Sequence, residues 1–406
     1  MGPLQRLYDR QPYPLLPIEM PVRDHWQEQF KVHLGTAQYV RTHTLVSAAG
    51  KRLLNAGCGS GVETLLLAEA NPGATIVALD FSATSVQVAE QRLRYHGFPD
   101  VEFYVMDLLQ VGELGYTFDF ITCNDTLYLL DDPQAGLNAL AKVLHPEGIL
   151  RANLHNYYGR RDKLEVQEAL RLLRLGGLGL EEAVAQTRQI LGAIKPGSWR
   201  RVMTWTQEAE QFPDDMIVNN FLLEGDKGYS VAETLAMLQR AGLDLVSWVD
   251  AASWDPRQIF TQMPERVQAL LPELSLPEQW HLCELLYPNL HRLNDFWAEH
   301  RGSSLVVPWD PQDWQMGVVH LHPLLASNPT FRQQWQTAQS QGEALIFDWP
   351  GVPSGRMQIP PELLGWLEPL FTGPQPVSEL LHDRDLQTYL AHLYGLELAL
   401  FVFLEP

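Results

Sequence analysis

A glycine-rich stretch early in the chain has the composition of a ligand-binding loop. Residues 55–61 read Asn-Ala-Gly-Cys-Gly-Ser-Gly, directly after a short apolar run and directly before residues with helical periodicity. Glycines there allow a tight turn, let the backbone approach a ligand and leave room for the helix to pack on the strand. The helix N-terminus adds free N–H groups and the positive end of its dipole. The stretch therefore predicts a ligand-binding turn between a strand and a helix.

Two acids follow at distances that suit a nucleoside ligand. Asp80 ends the next apolar run, nineteen residues after Gly61, where an acid accepts hydrogen bonds from a ribose. Phe81 follows it and suits packing against an adenine face, and Asp107 ends a third run, where it suits an exocyclic amino group. The alternatives stay open: Asp80 capping a helix with Ser82, and Asp107 serving as an ordinary turn acid.

The elements that would position these residues alternate regularly between residues 51 and 150. Short β-rich runs are separated by helical patterns, and glycine–proline clusters mark the returns. This rhythm predicts an α/β fold, a doubly wound and mainly parallel sheet with helices on both faces. The predicted strands are 52–54, 75–79, 101–106, 118–122 and 149–152, the predicted helices are 62–70, 82–95 and 133–143, and a late helix at 230–241 and strand at 245–249 extend the domain to residue 250.

Taken in order, five stretches resemble the successive motifs of class I S-adenosylmethionine-dependent methyltransferases. They are residues 53–61, 78–82, Asp107, 118–121 and 144–148. The resemblance implies a seven-stranded sheet, S-adenosylmethionine as cofactor and methyl transfer as the reaction. A dinucleotide site is the rival interpretation, but such sites favour the spacing G-x-G-x-x-G.

By this resemblance, the glycine loop contacts the methionine end of the cofactor, Asp80 takes the ribose and Asp107 takes the adenine. The implied cofactor-binding residues are Asn55, Ala56, Gly57, Cys58, Gly59, Gly61, Asp80, Phe81, Asp107, Leu108 and Asn124. One position departs from the family pattern, because the residue before Ala56 is usually acidic and here is Asn55. Its amide can still form a hydrogen bond with the cofactor's amino group.

Candidate catalytic residues follow the fourth and fifth strands. Methyl transfer from a sulfonium is an in-line displacement that needs alignment and, for a weak nucleophile, removal of a proton. His155 has the most suitable intrinsic pKa for a base. Asn124, Asp125 and Tyr128 follow strand four and face the same crevice. Turn formation or a polar entry into a helix is the alternative role for each of these residues.

Periodicity divides the chain into three parts. Residues 1–50 form an N-terminal cap, in which the proline-rich segment 12–17 lies over the cofactor as a lid or docks without a catalytic role. Residues 51–250 form the cofactor domain, with a helical insert at about 156–200. Residues 251–406 form a helix-rich region with short strands expected at 303–307 and 318–322, and its end, 360–403, has the pattern of a winged-helix-like unit.

The charge and cysteine content of the chain restrict the classes of partner and ligand that we expect. The 406 residues carry 29 lysines and arginines against 49 acids, a net charge of −20, which argues against a nucleic-acid partner. Three scattered cysteines exclude a disulfide scaffold and make a metal site unexpected. No signal peptide or membrane-spanning run is recognisable, so we expect a cytoplasmic protein.

The acceptor is predicted from architecture alone. Large accessory regions suit a protein substrate, since remote contacts position the acceptor. The tail is similar to extensions of bacterial protein methyltransferases, and size and acidity resemble the phycobiliprotein asparagine methyltransferases. The Asn/Asp-Pro-Pro-Tyr/Phe signature of many amide and amine methyltransferases is missing after strand four, where Asn124-Asp125-Thr126-Leu127 stands. A small-molecule methyltransferase and a non-catalytic scaffold of the same fold are the alternatives.

Overall fold

A seven-stranded sheet forms the centre of the protein. The computed structural model describes Tyr8 and residues 12–223, 225–303, 316–352, 355–381, 391–393, 395–397 and 399–405. The strand order is β3-β2-β1-β4-β5-β7-β6, with β1 to β5 parallel and β7 antiparallel to both of its neighbours. This confirms the predicted doubly wound, mainly parallel sheet. The strands are β1 Arg52–Ala56, β2 Thr75–Asp80, β3 Glu102–Val105, β4 Phe118–Cys123, β5 Leu144–His155, β6 Leu243–Trp248 and β7 Leu293–His300.

Helices that the periodicity predicts cover the sheet, and local sequence signals explain where they begin. The Ser82 side chain accepts from the N–H of Ser85, and Asp132 caps a helix whose first residue is Pro133. The helices up to the insert are α1 Trp26–Lys31, α2 Leu34–Thr42, α3 Val62–Ala70, α4 Ala83–Tyr95 and α5 Pro133–Val143, and α10 Val231–Arg240 precedes β6.

Strand β5 is longer than predicted. It begins at Leu144, before the Pro146-Glu147-Gly148 cluster that the sequence suggested as a turn. The pairing with β4 shifts register between Phe118 and Phe120, so a bulge absorbs the cluster while the strand continues.

The sheet also reaches further along the chain than the predicted limit at residue 250. Strand β7, which begins at Leu293, enters between β5 and β6 and leaves β6 at the edge. Its sequence, Leu-Asn-Asp-Phe-Trp-Ala-Glu-His, mixes charged and aromatic residues, so no simple alternation marks it as a strand. Its acids instead find arginine partners: Asp295 pairs with Arg151, and Glu299 with Arg41.

The helical insert after β5 continues to about residue 223, beyond the predicted end near residue 200. Its helices are α6 Tyr157–Leu172, α7 Leu180–Ala193, α8 Trp199–Thr204 and α9 Asp214–Ile217, followed by one π-helical turn, Val218–Leu222. The inner faces form a small separate core from Val166, Leu170, Val184, Leu191, Trp205, Ile217 and Phe221. The insert is therefore a packed unit set on the carboxyl edge of the sheet.

The N-terminal helices and the C-terminal region share one hydrophobic core with a face of the sheet. The Tyr39 hydroxyl donates to Glu397 at 3.0 Å and accepts from the N–H of Leu404 at 2.8 Å. The predicted strand at 318–322 is present, and most of the one predicted at 303–307 lies outside the described residues. C-terminal elements are α11 Glu265–Leu270, α12 Leu276–Leu286, β8 Val318–Leu321, α13 Pro323–Ala326, α14 Pro329–Gln341, β9 Leu345–Asp348, β10 Arg356–Ile359, α15 Pro361–Leu367, β11 Gln375–Pro376, α16 Val377–Leu380 and β12 Val402–Glu405.

Candidate functional site

A cavity of about 690 Å³ opens at the carboxyl ends of β1 to β4, where a parallel sheet of this kind binds its ligands. Its size lies within the roughly 300–1,000 Å³ typical of cofactor sites. The lining combines carboxylates with apolar side chains and glycine backbone: Tyr8, Tyr13, Pro14, Gly57, Cys58, Gly59, Glu63, Leu79, Asp80, Phe81, Ser85, Val105, Met106, Asp107, Leu108, Gln110, Asn124, Asp125, Thr126, Leu129, Leu130 and Asp131.

The glycines of the loop serve different purposes. Gly57 and Gly59 line the cavity with positive φ angles of 83° and 50°, and a Cβ on Gly59 would collide with the carbonyl of Tyr13. Gly61 does not line the cavity. A Cβ there would lie 2.6 Å from Cα of Ala89, so Gly61 lets α3 pack closely against α4.

The proline-rich N-terminal segment lies over the glycine loop, a position compatible with both a lid and a docked segment without a catalytic role. The N–H of Ser60 donates to the Tyr13 carbonyl at 2.9 Å, and the Ser60 hydroxyl donates to the Pro14 carbonyl at 2.7 Å. Buried Arg92 donates to the carbonyls of residues 16 and 17 and of Ser60. Tyr13 and Pro14 thereby become part of the cavity wall.

Asp80 supports the loop and faces the cavity. One carboxylate oxygen accepts from the N–H of Gly59 and the other from the N–H of Ser82, both at 2.9 Å. The capping role and the binding role considered for Asp80 are compatible, because each carboxylate oxygen can accept a second hydrogen bond. Asp80 thus couples the shape of the loop to whatever occupies the cavity.

The far end of the cavity suits a flat heterocycle. Phe81 contacts the Tyr8 ring edge-on, with centroids 6.2 Å apart, and Leu108 is buried beside it in the wall. The Asp107 carboxylate caps the turn through the N–H of Leu109 at 2.9 Å and uses one oxygen to do so. Its second oxygen remains available for an amino group.

Asn55 does not occupy the position expected from the sequence. It is buried beneath the loop, outside the cavity lining, and its amide is used internally: it accepts from Thr64 at 2.7 Å and donates to Thr122 at 3.0 Å. Ala56 is likewise buried in β1 and absent from the lining, whereas the neighbouring Cys58 lines the cavity.

An acid that the sequence analysis did not consider, Glu63 in the first turn of α3, lies next to Asn55. Glu63 lines the cavity and accepts from the Asn55 amide at 3.3 Å. Burial raises the pKa of its carboxyl to about 6, although Arg151 opposes the shift from 3.7 Å. The sequence interpretation missed Glu63. The available signal was an acid one turn after the glycines, at a helix N-terminus where an acid is also favoured for the dipole alone.

A polar network fixes the segment after β4. Asn124 Oδ1 accepts from Asn153 and from Arg151, so the orientation of its amide is set and its Nδ2 donors are left for the cavity. The N–H of Asp125 donates to Asn153 Oδ1 at 2.9 Å, which holds Asp125 in a left-handed conformation with φ of 48°. Asn124 and Asp125, both predicted, therefore lie together in the cavity wall.

His155 and Tyr128 lie beside that wall and not in it. Their rings stack with centroids 3.7 Å apart, and His155 Nδ1 lies 2.9 Å from Asp226 Oδ1. Burial lowers the pKa of His155, and the bond to Asp226 offsets this only in part. Asp226 has a lowered pKa: burial raises it, but the His155 bond and the Arg160 charge outweigh that effect. A neutral imidazole facing an ionised acceptor carries its proton on Nδ1, which leaves the Nε2 lone pair to accept one.

The site suits a cationic nucleoside cofactor. Five of the lining residues are acids, Glu63, Asp80, Asp107, Asp125 and Asp131, and none of the described residues that line the cavity is a lysine or an arginine. Apolar side chains provide the complementary surface for a base. In the described part of the chain, no three histidine, cysteine, aspartate or glutamate side chains are arranged to hold a metal ion. Within the same part, no helix is long and apolar enough to cross a membrane.

Comparison with known proteins agrees with this geometry. A family model described as a methyltransferase domain matches residues 47–210. An uncharacterised protein of Synechococcus is 30% identical over 323 residues, 78% of this chain and 74% of the relative. A ubiquinone biosynthesis O-methyltransferase of Salmonella paratyphi A is 29% identical over 39% of this chain, which spans 61% of that enzyme's length.

Among solved structures, PKMT2 from Rickettsia typhi has the same fold. It superposes with a TM-score of 0.63 over 93% of this chain and 75% of its own, at 14% sequence identity. The structure of that protein in complex with AdoHcy matches equally well, at 15% identity. The shared fold includes the insert and the C-terminal region, because the match extends far beyond the sheet.

Proposed function

Because the chain belongs to the class I S-adenosylmethionine-dependent methyltransferases, we propose that it transfers the methyl group to a side chain of a protein. The cofactor supplies an electrophilic methyl group on a sulfonium. The chain's own residues bind it, position the acceptor and take up the acceptor's proton. In this proposal the Glu63 carboxylate holds the cofactor's ammonium group, Asp80 the ribose hydroxyls and Asp107 the adenine amino group.

The observation that carries the proposal is a set of exposed apolar side chains near the carboxyl end of β5, which we call the apolar rim. We define the rim as Tyr157, Leu286, Tyr287 and Leu290, whose side chains are 40–54% exposed. It lies at the carboxyl end of β5, one strand along from the cavity, since the N–H of Asn156 donates to the carbonyl of Arg292 at 3.0 Å. Large apolar side chains exposed near the carboxyl edge of the sheet, on which the cavity also opens, suit contact with another protein more than entry of a small molecule.

For proton removal we propose His155 Nε2 as the base, with Asp226 orienting the ring as the acid does in a Ser-His-Asp triad. An amide acceptor needs such help, since its nitrogen is a weak nucleophile. An asparagine of a phycobiliprotein is the specific acceptor that we propose to test first.

The decisive experiment locates the transferred methyl group. Purified protein is incubated with radiolabelled S-adenosylmethionine and a lysate of cells that lack the gene, and macromolecules are separated from metabolites. We expect the label in protein, and less of it with an Asp80→Ala variant when the cofactor concentration is kept below saturation. Purified phycobiliprotein in place of lysate tests the specific acceptor, and mass spectrometry of its peptides identifies the modified side chain.

A small-molecule acceptor is the second candidate, favoured by the similarity to ubiquinone biosynthesis O-methyltransferases. The same experiment separates the two, because label confined to the metabolite fraction supports the second candidate and contradicts the first.

A further inference from the structure

Three cations, Arg160, Lys163 and Arg292, lie near the pair formed by His155 and Asp226. Arg160 and Lys163 are three residues apart on α6 and therefore share a face of the helix. Arg292 lies next to the first turn of α6, because its carbonyl accepts from the N–H of Asn156. In a chain with a net charge of −20, such a group of positive charges is unusual.

The charges of this group are poorly compensated. Within the described ranges, no carboxylate lies within 4 Å of Lys163 or Arg292. Arg160 has one such neighbour, Asp226, at 3.6 Å. That carboxylate already accepts from His155 at 2.9 Å and from Gln167 at 3.2 Å. Asp226 is therefore occupied by other donors and does not form a close bidentate pair with the guanidinium.

Arg160 is the most informative member, because its side chain is only 1% exposed. Its Nε and Nη2 atoms have no hydrogen-bond partner among the described residues, and Nη1 reaches only Asn220 Oδ1, at 3.5 Å. Buried donors without acceptors are costly, since the guanidinium loses its hydration without replacement. A fixed guanidinium with free donors is suited to receive an acceptor from outside.

Electrostatics supports the same interpretation. Burial lowers the pKa of Lys163 to about 8, and the charges of Arg160 and Arg292 add to that effect. Arg160 and Arg292 also act on Tyr128, the residue stacked on His155. The three cations are thus close to one another and to the residues proposed to handle the acceptor's proton.

We propose that Arg160, Lys163 and Arg292 bind an oxyanion carried by the methyl acceptor, either a carboxylate or a phosphate. Guanidinium groups pair with such oxyanions through two parallel hydrogen bonds. Anchoring the acceptor by a charged group near the reacting atom restricts its orientation, which is how remote binding contributes to rate. This inference rests on the proposed function, since it concerns the acceptor of the same site.

The first test uses simple oxyanions with the full-length protein. Crystals are soaked in sodium selenate, and anomalous scattering locates the ion. Calorimetry with sodium sulfate, phosphate and glutarate at constant ionic strength measures affinity in solution. We expect a selenate peak between Arg160 and Arg292 and saturable binding in solution. Tighter binding of phosphate or of glutarate tells which of the two oxyanions the site prefers.

Variants assign the binding to the cluster. Arg292→Gln and Lys163→Gln each remove one charge and should weaken binding about tenfold or more. Arg161→Gln is the matched control, because Arg161 lies exposed on the same helix and pairs with Glu165. No selenate peak at the cluster, or equal affinity in all variants, would overturn the inference.

The labelling and binding experiments together distinguish failure of the proposed function from failure of the oxyanion site. If the acceptor is a small molecule, label moves to the metabolite fraction while sulfate binding and its loss in Arg292→Gln persist. If the oxyanion site is wrong, proteins are still labelled, and sulfate inhibits labelling no more than chloride does at the same ionic strength.

Discussion

Asp226 Oδ1 lies 2.9 Å from Nδ1 of His155, although the two residues are 71 positions apart in the chain. The first belongs to the segment that leaves the helical insert and the second ends strand β5. The insert therefore does more than cover the crevice, because it brings a carboxylate to the ring whose tautomer matters for proton transfer.

We predict that His155→Ala lowers turnover by about 10²–10⁴-fold while cofactor affinity stays unchanged. Asp226→Asn should lower turnover less, because the ring stays in place but its preferred tautomer is lost. Single-turnover rates and calorimetry measure the two quantities. Tyr128→Phe keeps the stacking ring and removes only the hydroxyl, so it tests separately whether Tyr128 takes part. Equal turnover in wild type and His155→Ala would exclude His155 as the base. Asn124, Asp125 and Tyr128 would then be the next candidates for that role.

Asp80→Ala should weaken S-adenosylmethionine binding by roughly one to two orders of magnitude. A charged hydrogen bond to the ribose, worth about 1.5–3 kcal/mol, is lost, and so is the tie to the N–H of Gly59. Asp255→Ala is the matched control, because it removes an aspartate that caps a short turn at Pro256 and is not among the cavity-lining residues, and it should cost only about 1 kcal/mol of stability. Unchanged calorimetric affinity in folded Asp80→Ala would show that Asp80 is structural only.

Cofactor affinity should depend on pH through Glu63. Its carboxyl has a pKa of about 6, so it is ionised above pH 6 and attracts an ammonium group there. As the pH falls through 6 the carboxyl becomes neutral, and affinity should fall by up to about tenfold per pH unit. Arg151, Thr122 and Asn55 surround the group, and Arg151 stays charged throughout.

Glu63→Gln should bind the cofactor weakly at every pH and lose this dependence. Calorimetry between pH 5 and pH 8, in two buffers of different ionisation enthalpy, measures both affinity and proton release. If cofactor affinity depends on pH in Glu63→Gln as it does in the wild type, Glu63 is not the group responsible.

Gly59→Ala should displace the N-terminal segment, since the new Cβ collides with the Tyr13 carbonyl. We expect weaker cofactor binding and faster proteolysis within residues 12–18. Gly97→Ala is a control for strain: it also places alanine at a positive φ, here 89°, but nothing lies within 4 Å of the added Cβ. If both variants behave alike, backbone strain and not the collision explains the effect.

The apolar rim should matter for the acceptor alone. Leu290→Ser should raise KM for the protein acceptor several-fold and leave cofactor affinity unchanged, because it removes contact area outside the cavity. Leu172→Ser is the control, since Leu172 is more exposed but lies at the other end of α6, about 20 Å away. An identical KM in both variants would contradict a role for the rim.

The sheet and the cofactor loop were predictable because both depend on local patterns. Helices 62–70 and 133–143 were predicted at their observed bounds, and the glycine loop was recognisable by its strand–turn–helix context. Strand β7 was not predictable in this way. The acids of β7 form ion pairs with arginines that are distant in sequence. The order of polar and apolar residues along β7 therefore does not show which side chains are buried.

The site residues likewise fall into those that a local pattern places and those that depend on packing between distant segments. Asp80, Asp107 and Asn124 follow strands, and topology places them at one edge. The position of Asn55 in a motif predicts contact with the cofactor. In the structure its amide instead forms hydrogen bonds with Thr64 and Thr122 beneath the loop. Asp226 and Arg160 reach the site through packing of the insert, which no local pattern encodes.

The hydroxyl of Tyr39, held between Glu397 and the N–H of Leu404, has a consequence for the order in which the protein folds. The apolar faces of the N-terminal helices are completed by residues far along the chain, including Phe403, which stacks on Tyr39 at 4.3 Å. On the ribosome, these helices emerge long before their partners and cannot bury their apolar surface. The nascent chain therefore exposes this part of the core until residues 397–404 have been synthesised, and we expect it to need protection from aggregation up to that stage.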